Sequence, residues 1–133
     1  MDILGLVKSD QLFDLELKHP ITEKPLGVIV KLRSSQSAEV KTVERQNQDG
    51  INLRMQKGKS LKAAALEANA EARAAAMIES WDWQNQDLTL GEEASPECTQ
   101  KNKLLLVAND YFFDQIIEAS SNLENFTERA RKR

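Results

Sequence analysis

Apolar and charged residues alternate with period two in Phe13-Asp14-Leu15-Glu16-Leu17-Lys18. This is the pattern of a half-buried strand, with Phe13, Leu15 and Leu17 inward and Asp14, Glu16 and Lys18 outward. Gly27-Val28-Ile29-Val30-Lys31-Leu32-Arg33 repeats it, with Val28, Val30 and Leu32 on the buried face. Between them, His19 to Leu26 holds Pro20 and Pro25 and is followed by Gly27, which predicts a turn. Residues 1–34 therefore read as a β-hairpin region. Two strands alone are barely stable in water, so this hairpin requires a helix to cover it.

From Ser35 the period changes. Ser35 or Ser37 can cap a helix beginning near Ala38, and Val40, Val43, Asn47, Ile51 and Met55 then recur at helical spacing. Asp49-Gly50 is a weak point that predicts a kink or break, and Gly58 an end. The pattern restarts at Ser60. Leu61 to Trp81 is rich in strong helix formers and carries one stripe of Leu66, Ala70, Ala74, Met77 and Trp81. Such a stripe serves as a core face, a binding groove or a self-association face. Asp82 to Ala94 has no clear period and reads as an acidic loop. Ser95-Pro96-Glu97 predicts a helix start, running to about Ala108. Asn109-Asp110 marks a turn and a new cap. The last helix then places Phe113, Ile116, Ile117, Ser120, Leu123 and Ala130 on one side, with Phe112 and Phe126 at its margins. The expected fold class is α+β: an N-terminal β-hairpin packed on a mainly α-helical body of about four helices. A chain of 133 residues is expected to form a single domain over 1–133, with the helical region at 35–133 and the acidic loop near 82–94.

Composition narrows the chemistry. Aromatic residues are 5% of the chain, so the core must rest on Leu, Ile, Val and Ala. A net charge of −3 gives no bulk attraction to nucleic acid or anionic membranes. The charge is unevenly distributed. Bases outnumber acids from Lys31 to Lys62, only acids occur from Ala74 to Gln100, and Arg129, Arg131, Lys132 and Arg133 are basic again. Cys98 is the single cysteine and His19 the single histidine, so no internal disulfide or clustered zinc site is expected. A Cys98–His19 pair would lack a third orienting group and a nucleophile motif, and Gly58-Lys59-Ser60 lacks the rest of a phosphate loop. No enzyme, metal ion or cofactor is expected. No run approaches the length of a transmembrane helix, and the start lacks a secretion signal. Lys57, Lys59 and Lys62 form a small basic patch, too little by itself for a nucleic-acid surface.

The order of these features resembles the tail assembly chaperones of siphophages and related prophages, in their short form. The resemblance runs from Phe13 to Phe126. Its most distinctive part is the hairpin Phe13-x-Leu15-x-Leu17-x-His19-Pro20-x-Thr22-x-x-Pro25-Leu26-Gly27. There follow Ser37-x-Glu39 opening a basic helix, an Ala-rich helix ending near Trp81-x-Trp83, an acidic segment with Gly91, Ser95-Pro96-Glu97, and a last helix with Phe112-Phe113-x-Gln115-Ile116 and Leu123-x-Asn125-Phe126. Asp49-Gly50 in the long helix and Tyr111-Phe112-Phe113 at the start of the last one depart from the family pattern.

The resemblance implies a protein that binds the tape measure protein, the long helical chain that sets tail length. It would hold that chain soluble in the host cytoplasm until tube protein polymerises, and be absent from the finished virion. It also implies a longer frameshifted product that recruits tail tube protein. The expected partner-binding surface is Leu66, Ala70, Ala74, Met77, Trp81 and Trp83, together with Phe112 and Phe113. The competing readings are a head–tail connector or tail-completion protein of the virion, and a small DNA-binding regulator.

Overall fold

The computed structural model describes residues 2–127. The expected hairpin is present. Strand β1 (Leu12–Lys18) pairs antiparallel with β2 (Pro25–Arg33), setting Phe13 opposite Leu32 and Leu15 opposite Val30. Period-two alternation puts Leu17, Val28, Val30 and Leu32 in the core, as the sequence pattern requires. In the connecting turn the His19 amide donates to the Lys24 carbonyl. The His19 Nδ1 accepts from the amides of Ile21 and Thr22, at 3.1 and 3.2 Å.

Helix α1 (Ala38–Gln56) is capped by Ser37, whose Oγ accepts from the Val40 amide. It runs without a break through Asp49-Gly50. One glycine costs a helix only about 1 kcal/mol relative to alanine, which lowers helicity without requiring a break. Gly58, at φ +68, ends it: the Gly58 amide donates to the Met55 carbonyl and the Lys59 amide to that of Arg54. These paired bonds satisfy the last carbonyls of the helix, and the left-handed position suits glycine.

Helix α2 (Ala63–Met77) is shorter than its propensity predicts. At Ile78 the chain passes directly into β3 (Ile78–Trp83), which pairs antiparallel with β2, so the sheet order is β1-β2-β3 with β2 central. Trp81 and Trp83 therefore lie on a strand and not at a helix end. The β-branched Ile78 and the alternation Trp81-Asp82-Trp83 favour the pleat, where Val30 and Val28 pair with the two indoles. Arg33 from β2 holds the junction, its Nη1 donating to the carbonyls of Ala76 and Ile78 at 2.9 and 3.1 Å.

The expected acidic loop near 82–94 is also partly ordered. Trp83 ends β3, and β4 (Thr89–Leu90) pairs with β5 (Glu93–Ala94) across a two-residue turn with Gly91 at φ +62. Ser95-Pro96-Glu97 does not start a helix. Ser95 has φ +48, and the helix begins four residues after the expected Pro96, as α3 (Gln100–Val107), capped by Thr99. Helix α4 (Asp110–Ser121) is capped by Asn109, as expected, but ends at Asn122, which caps a 3₁₀ turn over Leu123–Phe126. Ala130 lies outside the described residues.

The chain is thus an α+β fold, an antiparallel hairpin followed by four helices and further short strands. Its core joins the sheet residues to Val40, Ala74, Met77, Ile78, Leu106, Val107, Ile116 and Ala119. Phe126 is fully buried and meets Phe13 edge-on, their centroids 6.3 Å apart.

Candidate protein-binding surface

The eight residues expected to bind a partner do not form one exposed surface. Ala74 and Met77 are fully buried in the core. Phe112 and Phe113 are half-buried and pack against it. Trp81 and Trp83 are half-buried, with ring centroids 5.9 Å apart in a T-shaped contact. Their polar edges are engaged as well: Trp81 Nε1 donates to the Pro96 carbonyl at 2.9 Å and Trp83 Nε1 to that of Leu88 at 3.0 Å. A buried indole N–H needs an acceptor, and here the two indoles tie residues 84–98 to β3. Leu66 and Ala70 alone are exposed, both on the N-terminal half of α2.

That half of α2 belongs to a helical arm. None of residues 41–73 is buried, and α1 packs chiefly on α2. The two helices are joined by polar contacts, Arg73 Nε with Glu44 Oε1 and Asn47 Nδ2 with the Asn69 carbonyl, and Arg54 Nη2 donates to the Ser60 carbonyl in the connection between them. Between them runs a shallow groove of 190 Å³ whose apolar lining includes Ile51, Leu61, Ala65 and Leu66. Met55 continues the Ile51 stripe one turn on and is 64% exposed; Leu66 is 45% exposed. A helix pair with a half-covered apolar seam presents what a third helix would fill.

Of the eight expected residues only Leu66 lines this groove; Ile51 of α1 and Leu61, just before α2, line it too and were not among them. A signal was present: Gly50 to Leu66 contains Arg54, Lys57, Lys59 and Lys62 and no acid, while Leu53, Met55 and Leu61 interrupt that polar stretch.

A second concavity, of 550 Å³, lies between the β1 end of the hairpin and α4, lined by Phe13, Leu15, Glu23, Tyr111, Asp114 and Glu118 among others. Its wall is tied by Gln115, which accepts from the Lys18 amide and donates to the Lys18 carbonyl. His19 contributes a ring whose Nδ1 already accepts two turn amides. Cys98 packs against the core by Trp81, and burial pushes its thiol pKa up, away from the nucleophilic thiolate. Among the described residues, no three His, Cys, Asp or Glu side chains come together as a metal-ligand set. No helix among them is long and apolar enough to cross a membrane.

No family model, curated protein or solved structure matches the chain. The functional reading therefore rests on the arm and on the order of motifs along the sequence.

Proposed function

We propose that this protein is a tail assembly chaperone, which binds the tape measure protein and keeps it soluble while tail tube assembles around it. One observation carries the reading: from residue 41 to 73 the chain builds two helices with no fully buried residue, which line a seam with Ile51, Leu61 and Leu66. A long helical client exposes apolar stripes that aggregate unless covered. Laid along the seam, a client helix completes a three-helix packing that neither partner makes alone.

The magnitudes suit a transient role. Fully burying one Leu or Met side chain is worth roughly 1.5–3 kcal/mol, and these are already partly covered. One arm thus contributes a few kcal/mol before the cost of association, which is weak binding for a single copy. Tube protein can then displace it. The complex acts in the host cytoplasm and the chaperone is absent from the mature virion. A longer frameshifted form would recruit tube protein through its added domain.

The test is co-expression with the tape measure protein of the same phage or prophage. Met55→Asp/Leu66→Asp should lose co-purification at least about tenfold, since burying a charge unpaired costs far more than one methyl contact. Circular dichroism should show unchanged helicity, because both positions are exposed. Retained binding would remove the arm as the client surface. Stoichiometric recovery of the protein from purified virions would reject the chaperone reading in favour of a head–tail connector.

A further inference from the structure

The apolar seam ends in a basic tip whose lysines have no carboxylate counterpart among the described residues. Arg54 lines the seam, Lys57 and Lys59 follow at the end of α1, and Lys62 stands just before the first residue of α2. No acid occurs from Gly50 through Leu66, and the three lysines are exposed with no carboxylate partner among the described residues. The acids of the arm are elsewhere, and Glu44 is already paired with Arg73. Arg54 adds a cation on the seam itself: it lines the groove, its Nη2 donates to the Ser60 carbonyl, and no carboxylate pairs with it among the described residues. A guanidinium is a donor set that a carboxylate satisfies well, through charge-assisted bonds.

Resting on the reading that the arm receives a helical client, we infer that the client segment is an acidic amphipathic helix. Its apolar stripe lies in the seam by Ile51 and Leu66, and its Asp or Glu flank faces Arg54, Lys57, Lys59 and Lys62. Like-charged segments of a long client are rejected, because burying a cation beside this tip is unfavourable. The charges thus choose where along a uniform apolar client the chaperone sits, and the seam supplies the adhesion.

Two synthetic helices of about 20 residues, long enough to hold helicity, are titrated against the full chain. They share one leucine stripe; one carries Glu on its flanks and the other Lys. The Glu helix should bind on the order of tenfold more tightly at low salt, and the difference should shrink as salt shortens the reach of the charges. Lys57→Glu/Lys59→Glu/Lys62→Glu should erase or reverse the preference while circular dichroism stays unchanged. Equal affinity for the two helices, or binding to neither, overturns the inference. So does loss of self-association in the triple variant without any binding of the Glu helix, which would assign the tip to a second copy of this chain. Attachment to anionic phospholipid vesicles that the Glu helix cannot displace overturns it in favour of a membrane surface. Failure here is separable from failure of the chaperone reading: the triple variant would still co-purify with the tape measure protein, whereas Met55→Asp/Leu66→Asp would not.

Discussion

Gly27 joins the hairpin to the rest of the sheet through backbone alone. Its φ is +78, and a Cβ built there would lie 2.9 Å from the Cβ of Asn85. Its carbonyl accepts from the amides of both Gln84 and Asn85, and Asn85 Nδ2 donates to the Leu26 carbonyl. The chain leaving β3 is therefore pressed against the start of β2, at a point where a side chain has neither the dihedral nor the space. Gly27→Ala should destabilise the fold by about 1–3 kcal/mol, from the left-handed strain and the overlap together. In urea the midpoint should fall with the slope unchanged; an unchanged midpoint would mean that Asn85 moves aside freely. The prolines and Gly27 predicted a turn reaching Leu26, but the turn closes at Lys24 and Pro25-Leu26-Gly27 already belong to β2, where the glycine has positive φ. Its close contact with Asn85 was not legible, because nothing local links residues so far apart. Ser37 shows the opposite case. Both Ser35 and Ser37 satisfied the local rule for a cap, and tertiary structure decides between them: the Ser35 amide donates to the Ser120 carbonyl, leaving Ser37 to cap α1.

At the level of elements, strands β1 and β2, the start of α1 and the Asn109 cap of α4 followed from period and capping chemistry. The errors cluster where two patterns overlap. Trp81 falls four residues after Met77 and so extends a helical stripe, yet Trp81-Asp82-Trp83 also alternates as a strand does. The strand wins because β2 has an open edge beside it and because Arg33 donates to the Ala76 carbonyl at the end of α2 and the Ile78 carbonyl at the start of β3. Ser95-Pro96-Glu97 has the composition of a helix start, but Pro96 is buried with its carbonyl accepting from Trp81 Nε1. The same bond gives a test of how residues 84–98 are held. Trp81→Phe keeps most of the apolar contact and removes the donor, leaving a buried carbonyl unpaired at about 1–3 kcal/mol. Limited proteolysis should then cut within residues 84–98 sooner than in the parent chain. Identical cleavage rates would show that β4 and β5 hold the segment without the indole.

Across the whole molecule, stability is divided unequally, and the division follows burial. The sheet, the end of α2, α3 and α4 share one core, whereas the arm from 41 to 73 contributes no buried residue to it. Local opening requires only the contacts a segment makes, so the arm should open at a free energy well below that of the sheet, and its amides should exchange first. Gly50 tests whether this opening is the helix–coil equilibrium of the arm itself. Nothing lies within 4 Å of a Cβ placed there, so Gly50→Ala acts through backbone propensity alone and should stabilise the helix by about 0.8–1 kcal/mol. Amide exchange across α1 should slow roughly four- to fivefold, while exchange in β2 should not change. Equal slowing in both would mean that the arm opens only with the whole fold, and the proposed client surface would then have no independent softness to exploit. Slowing confined to the arm would instead give the chaperone reading its physical basis: a rigid core carrying a pair of helices held together loosely enough to take in a third and release it.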